Sequence, residues 1–236
     1  MIENENVLIT GSDGGIGLAL INILLEKGVN KIYATGLNMD RLQVIKELSP
    51  DKIIPVQLDI TDKVQIKKCA EIAKDVSILI NNAGIELKKS FLDEGASEAG
   101  ALEMRVNYFG MIDMIIEFLP ILEQNKKAKI VNILSMASLV IVKRLATYCA
   151  TKTAAHVLTE SIRQELLEKN ILVSGVYMGY VNTKMVPEKV AYEKEEPINV
   201  AREIIESLLL DEIHIFPDKI SKEYSEKNPI KTVFYQ

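Results

Sequence analysis

Residues 6–17 read Asn-Val-Leu-Ile-Thr-Gly-Ser-Asp-Gly-Gly-Ile-Gly, and this stretch decides the fold. A short apolar run stops at a turn containing Gly11, Gly15 and Gly17, and apolar residues at helical spacing then follow as far as Lys27. This pattern predicts a strand, a tight turn and a helix. Glycines at this spacing let the backbone approach a pyrophosphate, whose charge the helix N-terminus favours. An ordinary tight turn is the alternative, but the place between a strand and a helix favours a dinucleotide site.

The same alternation continues along the chain. Further strand-like runs lie at 31–35, 53–58, 76–80, 129–134, 172–177 and 213–216, separated by segments with helical spacing near 40–48, 63–74, 97–123, 147–169 and 198–210. Such alternation predicts a parallel sheet with helices on both faces. We therefore expect an α/β fold of the Rossmann type, with a doubly wound, mostly parallel, seven-stranded sheet.

No linker divides the 236 residues, so residues 1–236 are expected to form a single domain. A charged stretch at 184–196 is interpreted as a short substrate loop. The polar residues from about 217 onward predict a surface tail.

The composition is that of an ordinary globular protein, with 48% hydrophobic and 26% charged residues. The formal net charge of −5 and the short, separated lysine clusters argue against a nucleic-acid partner. No apolar stretch approaches the ~20 residues of a membrane span, and the acidic N-terminus does not resemble a signal peptide. Two cysteines without a CxxC motif predict free thiols in a reducing cytoplasm, and two histidines without metal-like partners predict no metal site.

Tyr148 and Lys152 lie four residues apart on a predicted helix, so their side chains share a face. A tyrosine titrates near ~10, and a neighbouring cation favours the phenolate and lowers that pKa. Tyr148 could then act as a general acid and base near neutral pH. Alone the spacing is a weak signal, because a solvated helix face gives the same pattern. Ser135, thirteen positions before Tyr148, and Asn107 farther upstream strengthen it.

Together these motifs resemble the classical short-chain dehydrogenases/reductases. Residues 10–17 fit the TGxxxGxG pattern of that family, and residues 81–84 are its Asn-Asn-Ala-Gly. The resemblance covers nearly the whole chain. It implies an NAD(P)-dependent oxidoreductase that interconverts a carbonyl compound and an alcohol. The catalytic tetrad of the family falls on Asn107, Ser135, Tyr148 and Lys152.

The resemblance also implies what each site residue does. Ser135 fixes the carbonyl oxygen, Lys152 holds the nicotinamide ribose, and Asn107 binds a water that links Lys152 to solvent. Asp59 lies beside the adenine, although it could instead cap the following helix. The residues implied in cofactor binding are Gly11, Ser12, Asp13, Gly15, Ile16, Gly17, Asn38, Asp59, Ile60, Asn82, Ala83, Gly84, Tyr148, Lys152, Val181 and Thr183.

One departure from the family pattern follows the sixth strand. The expected proline-glycine reads Met178-Gly179. Because proline restricts φ and methionine does not, the geometry of the following loop is less constrained by its sequence.

A second departure concerns cofactor choice. Neither an acid at Gly36 nor an arginine at Leu37, the residues that usually select NAD(H) or NADP(H), is present. Asp13 is the only formal charge expected near the adenosine ribose, and it predicts a modest preference for NAD(H). NADP(H) stays open as a second cofactor, because three polar residues could hydrogen-bond a phosphate: Ser12, Thr35 and Asn38.

The main alternative function is a non-catalytic dinucleotide-sensing protein on the same fold. Such a sensor needs the glycine turn but not a tyrosine paired with a lysine. Enoyl reduction is a further alternative, which the four-residue spacing disfavours. A small carbonyl or alcohol substrate would meet a partly apolar wall, formed by Met136, Leu145, Tyr180 and Met185.

Assembly is suggested by two helices. The segments near 97–123 and 147–169 carry apolar residues on more than one face, more than a single buried stripe requires. In the resembling family these helices pair across a twofold axis. A homodimer or homotetramer is therefore expected.

Overall fold

The computed structural model describes residues 2–186 and 193–230. Its centre is a seven-stranded sheet in the order β3-β2-β1-β4-β5-β6-β7, with parallel pairing throughout. The chain moves outward from β1 to β3 and then returns to the other side of β1, so the strand order reverses between β1 and β4. The strands are β1 (Asn6–Ile9), β2 (Lys31–Gly36), β3 (Ile53–Gln57), β4 (Ile78–Asn81), β5 (Ala128–Ile133), β6 (Ile171–Val176) and β7 (His214–Ile215).

Helices cover both faces of the sheet, and each face has its own apolar core. Along β1, Val7 and Ile9 belong to one core and Leu8 to the other, as the two-residue period of a strand requires. Helices α1, α2 and α7 pack on the first face, and α3, α5 and α6 on the second. The predicted doubly wound fold is confirmed. The helices are α1 (Gly15–Glu26), α2 (Met39–Lys46), α3 (Lys63–Ile72), α4 (Ala96–Met104), α5 (Met111–Leu122), α6 (Ala146–Glu165), α7 (Pro197–Leu209) and α8 (Lys219–Lys227).

The single long helix predicted over 97–123 is wrong in one respect. Between α4 and α5 the chain forms a π-helical turn, Arg105–Gly110. At Gly110 the backbone lies so close to Ile60 that a β-carbon would be 2.9 Å from Ile60 Cδ1. Periodicity does not reveal such a turn, because it adds one residue without breaking the helix. Turns of this kind occur frequently at functional sites, and Asn107 lies within this one.

The polar stretch predicted from about residue 217 as a surface tail is largely exposed, but its described part contains a helix that the sequence analysis did not predict. Residues Lys219–Lys227 form α8, which begins with a reciprocal capping box between Asp218 and Ser221. Tyr224 and Ile230 pack against the second core. A polar helix held by so few apolar contacts gives little hydrophobic signal in the sequence. Residues 231–236 lie outside the described residues, as do 187–192 of the predicted substrate loop.

Within the described ranges, no helix has both the length and the apolar character needed to cross a membrane.

Candidate active site

The carboxyl ends of β1 and β4 are joined by side-chain hydrogen bonds at the point where the strand order reverses. Thr10 Oγ1 accepts from the backbone N–H groups of Asn82 and Ala83, each at 2.9 Å. Asn82 Nδ2 donates to the carbonyl oxygens of Thr10 and Gly11, at 2.8 and 3.0 Å. The glycine turn and the Asn-Asn-Ala-Gly turn are therefore held as one unit. Grooves at such reversals are where open α/β sheets bind ligands.

The glycine turn has no room for side chains. Gly11 has φ of +64°, and a β-carbon on Gly17 would lie 2.4 Å from the carbonyl oxygen of Gly11. Gly14 caps α1 without a side-chain hydrogen bond, so the first amides of α1 have no capping partner within the turn. Ile16 lies in this first turn and packs against the first core. The amides at the start of α1 are thus placed to bind an anion.

Ser12 does not contact the groove through its hydroxyl, which corrects the role expected from the sequence. The residue is fully buried, and its Oγ donates to the Ile9 carbonyl at 2.8 Å while accepting from Thr35 N at 3.0 Å. Thr35 is also fully buried, and its hydroxyl donates to the same Ile9 carbonyl. Both hydroxyls fasten β1 to β2. Neither is available to a phosphate.

Asp13 lies at the end of β2 although it belongs to the glycine turn. A β-carbon on Gly36 would be 2.5 Å from Asp13 Oδ1, so the carboxylate occupies the space where a side chain of residue 36 would begin. A carboxylate thus lies at the end of β2 although residue 36 is a glycine. Asn38, the other polar residue nearby, uses its side-chain oxygen to cap α2 by accepting from Arg41 N at 3.0 Å.

Asp59 and Ile60 follow β3 at the same edge of the sheet. Asp59 Oδ1 accepts from the backbone N–H and the hydroxyl of Thr61, both at 2.8 Å. Helix α3 is capped by Asp62, so the alternative that Asp59 caps this helix is wrong. Ile60 is buried, and its side chain lies beside Gly110 in the π-helical turn.

Tyr148, Lys152 and Ser135 meet beside the Asn-Asn-Ala-Gly turn. Tyr148 and Lys152 lie on the buried face of α6, and Lys152 Nζ is 5.7 Å from the centroid of the tyrosine ring. Lys152 Nζ donates to the carbonyl oxygen of Ile133 at 2.8 Å. A β-carbon on Gly84 would be 3.7 Å from Lys152 Nζ, so the ammonium lies beside the Asn-Asn-Ala-Gly turn.

Burial dominates the pKa values of this pair. It raises the pKa of the Tyr148 phenol above its usual value of 10.0, and the negative charge of Glu86 raises it further. The Ser135 hydroxyl hydrogen-bonds the phenol and lowers the pKa, but by less than burial raises it. Burial also lowers the pKa of Lys152 to about 8. The Tyr148 phenol is therefore neutral at pH 7. Its pKa is raised, whereas the sequence analysis expected Lys152 to lower it.

Two carboxylates near Tyr148 were missed by the sequence analysis. Burial raises the pKa of Glu86, and the charge of Glu103 adds to this increase, against the effects of Lys88 and Arg144. Glu103 is fully buried; its Oε1 accepts from Leu87 N at 2.6 Å, and its Oε2 has no partner among the described residues. In the sequence, only the position of Glu86 two residues after Gly84 could have indicated a carboxylate near Tyr148.

Asn107 is buried next to Lys152, but its side chain is engaged elsewhere. Its Oδ1 accepts from Ile85 N at 2.9 Å, and its Nδ2 donates to the Ile85 carbonyl at 2.9 Å and to Thr151 Oγ1 at 3.0 Å. The amide therefore fastens the segment after Gly84 to the π-helical turn. This use of both ends of the amide was not foreseen from the sequence.

The segment after β6 reaches back over the glycine turn. Val181 is buried and forms a parallel bridge with Glu195, which brings the segment before the predicted substrate loop close to the end of that loop. Thr183 contacts the start of α1, since a β-carbon on Gly15 would be 2.7 Å from Thr183 Cγ2. Val181 and Thr183 thus adjoin the groove formed by the glycine turn.

No group of three or more His, Cys, Asp or Glu side chains in residues 2–186 and 193–230 is arranged to hold a metal ion.

Comparison with known proteins gives matches over most of the chain. The family model described as short chain dehydrogenase matches residues 5–194. A short chain dehydrogenase from Burkholderia cenocepacia, solved in complex with NADP, is 31% identical, with a TM-score of 0.88 over 96% of this chain and 93% of that one. An uncharacterised oxidoreductase of Staphylococcus saprophyticus is 30% identical over 78% of this chain and 77% of its own. An uncharacterised oxidoreductase of Staphylococcus aureus is 28% identical over 88% of this chain and 92% of its own.

The buried ammonium of Lys152 predicts a cost in stability that depends on pH. The pKa falls from 10.5 to about 8 on folding, so the cost is complete below pH 8 and fades as the pH rises toward 10.5. We expect Lys152→Met to raise the free energy of unfolding at pH 7 by about 2 kcal/mol. The variant removes the cost of burying the charged ammonium, ~3 kcal/mol, but it also loses the hydrogen bond to Ile133, which contributes ~1 kcal/mol. Denaturant titrations at pH 7 and pH 10 measure the difference.

The matched control is Lys67→Met, at an exposed position of α3. It should change the free energy of unfolding little at either pH. An equal effect of Lys152→Met at both pH values would contradict the assignment of its pKa.

Proposed function

The chain belongs to the short chain dehydrogenase family of oxidoreductases, and from this premise we propose that it interconverts a carbonyl compound and an alcohol by hydride transfer. Tyr148 is the proposed general acid and base. The observation that carries the proposal is the group of Tyr148 and Lys152, both buried, with the partly buried Ser135. This group lies beside the Asn-Asn-Ala-Gly turn, which the Thr10 hydrogen bonds join to the glycine turn where the strand order reverses. Proton transfer and dinucleotide binding can therefore take place in one groove.

The proposed cofactor is a nicotinamide dinucleotide, which supplies the hydride in reduction and accepts it in oxidation. The amides at the start of α1 would hold its pyrophosphate, because Gly14 leaves them without a capping side chain. The backbone of 82–84 and the side chain of Thr183 would hold the nicotinamide half. The Lys152 ammonium beside Gly84 would bind the ribose hydroxyls. Val181, Asp59 and Ile60 would line the remaining groove.

The charges around Tyr148 favour its role as a proton donor. A phenol with a raised pKa is neutral at pH 7 and can give its proton to the oxygen of a carbonyl as hydride arrives at the carbon. The Ser135 hydroxyl would donate a hydrogen bond to the same oxygen and stabilise its developing charge. Alcohol oxidation requires the phenolate of Tyr148, and the positive charge of the nearby Lys152 ammonium favours this form.

The proton that Tyr148 gives up has to be replaced from solvent, and the resemblance implies a relay through a water bound at Asn107. The side-chain amide of Asn107 cannot be the group that binds this water. Because both ends of that amide are hydrogen-bonded to other groups, we assign the water-binding role to backbone carbonyls in the π-helical turn. A π-helical turn interrupts the regular i to i+4 pattern and can leave a carbonyl oxygen for water. The water would then connect Lys152 to solvent.

The substrate is proposed to be a small carbonyl compound or alcohol with an apolar part. Leu145 is buried and packs in one cluster with Tyr148, and Met136 is buried directly after Ser135. Met185 is partly exposed at the start of the substrate loop. Tyr180 lies between the sixth strand and this loop. An apolar wall of this kind excludes water from the reacting oxygen.

Tyr148→Phe tests the proposal. It removes the transferable proton and keeps the ring, so turnover of a validated substrate should fall by about a thousandfold or more while dinucleotide affinity changes less than about threefold. Steady-state rates, with dinucleotide affinity from fluorescence titration, measure the two effects.

Tyr33→Phe is the control, since the Tyr33 hydroxyl bonds Asp75, away from the groove. It should leave both quantities unchanged. Unreduced turnover in Tyr148→Phe would show that another group transfers the proton.

For the choice between cofactors we propose a modest preference for NAD(H). The Asp13 carboxylate at Gly36 would accept from a ribose 2′-hydroxyl and repel a 2′-phosphate. The buried Ser12 and Thr35 hydroxyls give a phosphate no compensation. The relative from Burkholderia cenocepacia was solved with NADP, so the ratio has to be measured on this chain.

Asp13→Asn should shift the ratio of kcat/KM for the two cofactors toward NADP(H) by about fivefold, since an exposed charge pair contributes about 1 kcal/mol. Asp40→Asn, in the exposed first turn of α2, is the matched control and should leave the ratio unchanged. A clear NADP(H) preference in the parent chain that persists in Asp13→Asn would contradict the role of Asp13.

We also propose a homodimer or homotetramer. The faces of α5, α6 and the π-helical turn that point away from the cores carry exposed apolar side chains, which include Phe109, Ile116 and Val157. Ile116→Glu should dissociate the assembly in light scattering at micromolar concentration, whereas Val44→Glu on the exposed face of α2 should not. A parent chain that is strictly monomeric would contradict the proposal.

The proposed compartment is the cytoplasm. Cys69 and Cys149 are both free and buried. Free thiols are typical of a reducing compartment.

A further inference from the structure

The peptide between Met178 and Gly179 is held on both sides. Its carbonyl oxygen accepts from Met136 N at 2.8 Å, and its N–H donates to Asp218 Oδ2 at 2.7 Å. The first partner follows the catalytic Ser135 directly in the chain, and the second begins α8. With both polar groups of the peptide bonded, rotation of its plane would break one hydrogen bond or both.

The Asp218 carboxylate is itself fixed. It is 4% exposed, and its Oδ1 accepts from Ser221 N at 3.0 Å. The Ser221 hydroxyl lies 2.9 Å from Oδ2, on the same oxygen that binds Gly179. A buried carboxylate needs several donors, and hydrogen bonds to an ionised acceptor are stronger than neutral ones. The carboxylate therefore provides a firm partner for the loop.

Gly179 makes this contact possible. A β-carbon there would be 2.9 Å from Asp218 Oδ1, so a larger residue would push the carboxylate away. Beyond Gly179 the chain is held again, because the carbonyl oxygen of Tyr180 accepts from Glu195 N at 2.9 Å. The Met178–Gly179 peptide therefore sets the direction in which residues 180–183 leave the sheet.

We propose that Asp218 is a positioning residue for residues 180–183 and takes over the restriction that proline provides at position 178 in the resembling family. Proline limits the backbone covalently through φ. Here a buried carboxylate on α8 limits it through the adjoining N–H. The inference rests on the proposed function only in that Val181 and Thr183 contact the dinucleotide.

The test compares Asp218→Ala with Ser221→Ala. Both variants remove part of the α8 cap, but Ser221→Ala keeps the bond between Asp218 and Gly179. We expect Asp218→Ala to weaken NAD(H) binding about tenfold, as loss of one charge-assisted hydrogen bond allows, with a smaller change in kcat. Ser221→Ala should change the dissociation constant less than about twofold at a similar loss of thermal stability.

Rescue separates positioning from simple loss of stability. Met178→Pro in the Asp218→Ala background should restore most of the lost affinity, because it returns the covalent restriction. The same substitution in the parent chain should have little effect. Equal affinities in the parent, Asp218→Ala and Ser221→Ala proteins would overturn the proposal, and so would a loss of affinity that Met178→Pro leaves unchanged.

A readout that does not depend on activity is hydrogen exchange of the Gly179 amide, followed with ¹⁵N-glycine labelling. Exchange should be at least about tenfold faster in Asp218→Ala than in Ser221→Ala, because only the first variant removes the acceptor. If the parent chain binds neither NAD(H) nor NADP(H), the proposed function fails while this exchange measurement still decides whether Asp218 holds the loop. Equal exchange in the two variants would overturn the role of Asp218.

Discussion

The hydrogen bonds between Thr10 and the Asn82-Ala83 turn are the interaction on which the rest of the groove depends. They join the ends of β1 and β4, the two strands between which the order of the sheet reverses. The approach is close enough that a β-carbon on Gly11 would lie 3.0 Å from Ala83 Cα. Glycine at this position thus serves both the left-handed backbone and the contact between the two turns. The groove at the strand reversal is a consequence of this contact.

Tyr148 and Lys152 are placed where burial opposes their charged forms. Burial raises the pKa of Tyr148 and lowers that of Lys152 to about 8, so both groups are driven toward their neutral forms. Glu86 opposes the phenolate further, while the Ser135 hydroxyl favours it. A phenol that keeps its proton is suited to donate it. The cost of burying Lys152 is then a consequence of placing a cation within reach of both the phenol and the groove.

Much of the molecule could be predicted from the sequence, because the period of apolar residues and the glycine turn act locally. The doubly wound sheet follows from the alternation of strands and helices, and the family from motifs at 10–17 and 81–84. The failures involve residues whose partners are distant in sequence. Ser12 has the position of a cofactor ligand, yet its hydroxyl joins Ile9 to Thr35. The amide of Asn107 likewise bonds Ile85 and Thr151, which the sequence does not indicate.

The precision of the site can be traced to α6, which is fixed at both ends. Near its start, Lys152 Nζ bonds the last residue of β5, and near its end Arg163 Nε donates to the Val173 carbonyl at 2.8 Å. Arg163 also pairs with Glu160 at 2.6 Å, and Glu160 Oε1 lies 3.0 Å from His214 Nε2 next to β6. A buried, hydrogen-bonded network on the same helix restricts sliding and rotation of α6 against the sheet. Tyr148 therefore holds its place relative to Ser135 through a rigid helix.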